Sequence, residues 1–135
     1  MAKFTSEIVE LQTSPEKVFS FLEDMNNFEL IMPEQVENWK SNDHECSFFI
    51  KNLGDLGLKK GRIDFPNTLN FPSADNSKVK FNLAFSLFRS RNDNYSAGFE
   101  ITADLNSMVE MMAKRPLTNF VNLLTSNLKT QIVNQ

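Results

Sequence analysis

The sequence predicts an α+β domain in which a curved antiparallel sheet of about seven strands wraps a long C-terminal helix. Three observations predict it. Two adjacent segments near residues 78–105 alternate apolar and polar residues with almost no exception. Strand and turn signals follow one another from residue 35 onward. From residue 107 the apolar spacing changes from two to three or four and stays so to the end.

The first strand is expected over residues 3–12, KFTSEIVELQ, where Ile8 and Val9 are β-branched and Val9 and Leu11 alternate with Glu10 and Gln12. A helix then starts: Ser14 suits the N-cap, Pro15 the first helical position, and Glu16 the positive end of the helix dipole. Val18, Phe21, Leu22 and Met25 form one apolar stripe. Asn26-Asn27 interrupts it, and Phe28, Ile31 and Met32 suggest a second short helix that Pro33 ends.

Strands are expected at 35–41, 44–52, 56–65, 68–73, 78–90 and 94–105, with Asn, Asp, Gly, Pro and Ser between them. In the fifth, Val79, Phe81, Leu83, Phe85 and Leu87 share a face. In the sixth, Tyr95, Ala97, Phe99, Ile101, Ala103 and Leu105 do. With Arg91-Asn92-Asp93 as the turn, these two make a long hairpin. Strands of about ten residues exceed the common length and imply a strongly bent sheet. Ser107 and Glu110 read as a capping box for the last helix. Its apolar positions read as Met108, Met112, Leu117, Phe120, Val121, Leu124, Leu128 and Ile132, with a kink or short break expected near Lys114-Arg115, before Pro116. At 1.5 Å per residue the helix is ~40 Å long.

Length and composition agree with one domain spanning residues 1–135. The chain is 41% hydrophobic and 23% charged, ordinary values for a globular protein. A net charge of −3 argues against a dedicated nucleic-acid binder, which needs a basic face for phosphates. It also gives the chain as a whole no attraction to anionic membranes. The start, MAKFTSEIVELQT, has no apolar run, so a cytoplasmic location without integral membrane contact is expected. Thirteen Phe and six Met against one Trp and one Tyr point to a core rich in side chains with no hydrogen-bonding handle.

The element order, with these landmarks, resembles the helix-grip fold of the START-like, Bet v 1-like superfamily. The resemblance rests on the first strand running into Ser14-Pro15-Glu16-Lys17-Val18-Phe19-Ser20-Phe21-Leu22. It rests also on Phe28-Glu29-Leu30-Ile31-Met32-Pro33 before a strand holding Trp39, and on the final hairpin leading to a long amphipathic helix. It implies a cavity between sheet and last helix. Members bind lipids, sterols, polyketides, hormones or quinones; others are polyketide cyclases, oxygenase subunits or chaperone partners. Fold alone does not select among these.

Candidate chemistry is sparse. His44 and Cys46 share a strand face, but a nucleophile–base pair needs a third group to orient the base, and none is evident. One His and one Cys leave no usual zinc site and no two-His-one-carboxylate iron site, so no metal and no cofactor is expected. Gly54, Gly57 and Gly61 lack the strand–turn–helix setting of a phosphate loop and read as turns and a bulge. Lys51, Lys59, Lys60 and Arg62 read as a solvated strand edge, the alternative being the docking of an anionic headgroup at a pocket mouth; the resemblance makes Arg62 the candidate polar anchor of a pocket.

The expected ligand-binding set is Phe48, Arg62, Phe81, Phe85, Phe99, Met108, Met112, Phe120 and Leu124, with residues 28–33 and the loop 52–57 flanking the mouth. The first reading is sequestration of a small hydrophobic or amphipathic ligand (lipid, quinone or polyketide-like), with no catalytic residue. The second is a cyclase or dehydratase acting on an aromatic or polyketide-like substrate, which requires a titratable group in the pocket. The third is a protein–protein module with a filled cavity, for which Trp39 outside the core is the marker.

Overall fold

The computed structural model describes residues 1–133. Its elements are β1 (Ala2–Thr5), β2 (Val9–Leu11), α1 (Pro15–Glu23), a 3-10 helix (Met25–Ile31), β3 (Glu37–Ser41), β4 (Glu45–Ile50), β5 (Gly54–Lys59), β6 (Ile63–Asp64), β7 (Thr68–Pro72), β8 (Phe81–Arg89), a 3-10 turn (Arg91–Asp93), β9 (Tyr95–Ala103) and α2 (Ser107–Val133). All pairings are antiparallel. One ladder runs β1-β9-β8-β7-β6 with β2 also on β9, and the other runs β3-β4-β5.

The two ladders form one curved surface. Leu58 bridges Ser73, and the N–H groups of Ala74 and Lys78 donate to the carbonyls of Gly57 and Asp55, each at 2.8 Å. Both β1/β2 and β5/β6 are single strands interrupted once, so the nine segments count as seven strands. The first interruption is at Ser6. Its N–H donates to the Phe99 carbonyl while its hydroxyl accepts from the Phe99 N–H at 3.0 Å. The chain then arches over Gly98, where a Cβ would lie 3.0 Å from Ile8 Cδ1 and 3.1 Å from Ser6 Oγ. The second is at Lys60–Arg62, where Gly61 passes so near β7 that a Cβ would sit 2.7 Å from the Asn70 carbonyl oxygen. The expected strand 56–65 is therefore two pieces, and the β8 ladder begins at Phe81 instead of residue 78.

The expected start of α1 holds: the Lys17 N–H donates to Ser14 Oγ at 3.3 Å, with Pro15 at the first helical position. Val18, Phe21 and Leu22 are buried, and so is Phe19. The break falls at Asp24, whose carboxylate caps the Asn26 N–H at 3.0 Å, so Asn26-Asn27 lies in the first turn of the 3-10 helix. The β8–β9 turn holds Asn92 and Asp93 at φ 60° and 61°, a conformation that Asn and Asp tolerate through local hydrogen bonds.

Helix α2 lies across the concave face. Its cap is Asn106, whose side-chain oxygen accepts from the Val109 N–H at 3.0 Å, and not the expected Ser107. The helix runs unbroken through Pro116, so the expected break near Lys114-Arg115 does not form. Asn122 Oδ1 accepts from the Glu7 N–H at 2.7 Å, and Asn127 Nδ2 donates to the Ile31 carbonyl at 2.9 Å. These two bonds tie the middle and far part of α2 to the β1–β2 arch and the 3-10 helix. Beneath them Phe28 meets Phe71 and Phe99 edge-on, and Phe85 packs on Phe99 at 5.1 Å.

Candidate functional site: an apolar cavity under the first half of the last helix

Four strands and the first half of α2 meet around a cavity. From β4 and β5 it receives Phe48 and Leu56, and from the turn between them Leu53. From β8, and the residues just before it, come Val79 and Phe81, and from β9 and beyond come Ile101 and Leu105. Val109, Ala113, Leu117 and Phe120 close it from α2. Every lining residue is apolar. The free volume is about 20 Å³, room for about one water, and an apolar lining offers a water no partner. The inner lining residues are fully buried, while Leu53, Val79, Phe81, Leu105 and Val109 are half-buried and form the mouth.

The sequence reasons for this ring are local. Alternation places Val79 and Phe81 on the face of β8 that carries Leu83 and Phe85, and Ile101 on the face of β9 that carries Phe99. On α2, positions 109, 113, 117 and 120 fall on one side at spacings of four and three. In β3 the register shifts between Glu37 and Lys40, and Asn38 takes φ 57°. This bulge accompanies an inward Trp39, which stacks on Phe48 with centroids 6.1 Å apart. Phe48 in turn stacks on Phe120 at 5.7 Å. Trp39 is thus half-buried against the core, not outside it.

Of the expected ligand-binding residues, Phe48, Phe81 and Phe120 meet at the cavity. Phe85, Phe99 and Leu124 are buried deeper, in the packed core, and do not line it. Met108 and Met112, expected to face the sheet, face solvent at 73% and 61% exposure. With Asn106 as cap, the inward positions of the first turns are Val109 and Ala113; the larger methionines stand one residue off that face. Arg62 does not anchor a pocket. Its side chain is 79% exposed and pairs with Asp64 at 3.0 Å along the strand. The loop 52–57 meets the cavity through Leu53 at the mouth and Leu56 in the inner lining. Residues 28–33 do not, because Phe28 and Ile31 are buried beside the far part of α2. Reasoning from sequence missed Ala113 and Val109. Counting back from Leu117 in steps of four finds both.

His44 and Cys46 do not assemble. His44 is exposed beside Asp43, whereas Cys46 is buried. Burial pushes the Cys46 thiol up to about 12, against the weaker opposite pull of a backbone hydrogen bond at Leu58. Among the described residues no three His, Cys, Asp or Glu side chains converge as a metal site, and no helix is long and apolar enough to cross a membrane.

No family model matches the sequence, and no curated protein matches it. Solved structures do match along nearly its whole length. The protein XoxI from Bacillus cereus superposes with a TM-score of 0.73 at 11% identity, covering 99% of this chain and 97% of that one. A START superfamily protein from Mycobacterium smegmatis gives 0.65 at 13% identity, covering 98% and 97%. The Aha1 dimer from Colwellia psychrerythraea gives 0.68 at 15% identity, covering 98% and 96%. At these identities the likeness is one of fold: the chain has the helix-grip architecture of START-like, Bet v 1-like proteins.

Proposed function

We propose that the protein binds a small hydrophobic or amphipathic molecule, with its apolar part held between the sheet and the first half of α2. The observation that carries this reading is a ring of half-buried apolar side chains at the mouth, leading to a cavity with no polar lining group. Packing alone does not require it, since the same helix is closed tightly by Val121, Leu124 and Leu128 further along. The free space is too small for a ligand as it stands. Entry therefore displaces mouth residues, Phe81 and Leu53 foremost, and exchanges their contacts for ligand contacts. Apolar burial supplies the affinity at roughly 25 cal/mol per Å², less the cost of ordering. An amphipathic ligand keeps its polar end outside, because no lining side chain can hydrogen-bond it.

Native mass spectrometry after incubation with a mixed lipid and quinone extract tests this. The expected result is a stoichiometric added mass that Ala113→Leu and the rim variant Val109→Phe both abolish. No added mass from any extract, with the fold intact by circular dichroism, contradicts it.

A further inference from the structure

The first turns of α2 carry two apolar stripes one residue apart and two caps one residue apart. Val109 and Ala113 face the cavity, while Met108 and Met112 stand outside it at 73% and 61% exposure. A helix of an ordinary globular domain turns one apolar stripe to its core and the rest to water. Asn106 caps the helix through the Val109 N–H. Ser107 and Glu110 have the spacing of a capping box for a helix that starts one residue later. That box is unused: the Glu110 N–H, which Ser107 would cap, donates to the Asn106 carbonyl at 2.9 Å.

Pro116 supplies a joint between these turns and the rest of the helix. It has no N–H to offer the Met112 carbonyl, so one rung of the helix is already missing there. Ala113 precedes the buried Leu117 by four positions and Met112 precedes it by five. Four is the α-helical spacing. Five is the spacing of a single π-turn, which α-helices hold as a local bulge. One such turn at 112–116 rotates the preceding residues by about 100° and brings Met108 and Met112 to the places of Val109 and Ala113. A start at Ser107 then adds one residue to the connector after Ala103, which spans the small advance along the axis. The far part of α2 stays in place, because its bonds to Glu7 and Ile31 come from Asn122 and Asn127, beyond Pro116.

We propose that the first half of α2 is a two-position switch: beside the phase described above it takes a minor phase, one residue displaced, in which Met108 and Met112 plug the cavity. The methionines are longer than the residues they replace. Being unbranched, they adapt to the free space and push the half-buried Leu53 and Phe81 outward. Their burial offsets the wide turn, while the smaller Val109 and Ala113 lose little apolar contact on exposure. Met111 stays outside in both phases. Ligand and methionines compete for one space, so a ligand selects the Val109–Ala113 phase by its differential affinity. That last consequence rests on the proposed ligand reading; the two phases do not.

Methyl relaxation dispersion on the full-length protein tests it. Met108, Met112 and Ala113 are expected to share one exchange process, with a minor population of roughly 1–10%, that Leu124 and Leu128 do not show. Asn106→Ala is expected to raise that population roughly fivefold, and Ser107→Ala to lower it by a similar factor. Pro116→Ala restores the missing rung and is expected to quench the exchange. So is Met108→Ala with Met112→Ala, which keeps the fold because both side chains are exposed. No exchange at these methyls, exchange common to the whole core, or two cap variants that act in the same direction overturns the proposal. Palmitate or menadione, with uptake read by native mass spectrometry, is expected to suppress the exchange. Uptake that leaves the exchange unaltered, or uptake by a protein that shows none, overturns the switch and leaves the ligand reading standing. Exchange tuned by the caps in a protein that takes up neither probe supports the two phases and removes the ligand reading.

Discussion

The rings of Phe48 and Phe120 stack with centroids 5.7 Å apart and planes 17° apart, one from the sheet and one from the last helix. This contact is the inner wall of the cavity and the place where the first half of α2 is held down. Phe120 is fully buried. Phe120→Ala is expected to cost roughly 3–5 kcal/mol, read as a lower urea midpoint at unchanged slope. Because the single Trp39 stacks on the other face of Phe48, its fluorescence changes in the same variant before global unfolding.

The phase of α2 gives a sharper contrast. Met112 is exposed and Ala113 is buried in the cavity wall. Met112→Asp is expected to change stability by less than about 0.5 kcal/mol. Ala113→Asp puts an unpaired carboxylate among apolar groups and is expected to cost about 3 kcal/mol or more. Thermal melts of the two variants decide it, and equal losses contradict this helix phase.

The cap residue follows the same logic. Asn106→Ala removes the acceptor of the Val109 N–H and is expected to cost roughly 1 kcal/mol, while Asn106→Asp retains it. Ser107→Ala is expected to fall within about 0.5 kcal/mol of the parent. The reverse order places the cap one residue later.

Cys46 makes a pH prediction. Its thiol titrates near 9.0 when unfolded and is pushed up to about 12 when folded. A raised folded value stabilises the protein fully below the unfolded one. Above pH 9 the unfolded chain sheds a proton that the folded chain keeps, so this contribution declines until about pH 12. Cys46→Ala is expected to flatten the loss of stability over that window. A thiol reagent at pH 8 is expected to label Cys46 only as fast as the protein opens.

Much of the fold was legible because its signals are local. Ser14 and Pro15 mark a helix start by cap chemistry alone, and β8 and β9 alternate because one face is buried. The element order then carried the resemblance to the helix-grip fold. The site was legible only in part. Met108 and Met112 outrank Val109 and Ala113 in size, so a hydrophobic stripe drawn from residue types starts one residue early. The cap at Asn106 corrects it, but that bond is visible only in the structure. Trp39 faces inward beside a bulge at Asn38 that simple alternation does not include. Arg62 was favoured for its charge, yet nothing in the sequence says which face of an interrupted strand it takes.

Methyl-resolved NMR with a long-chain fatty acid or a quinone as titrant tests the ligand site most directly. The account predicts shifts concentrated at Leu53, Leu56, Val109, Ala113 and Leu117, with Leu128 and Ile132 unmoved. Shifts centred on Leu128 and Ile132, or none with either titrant, contradict it.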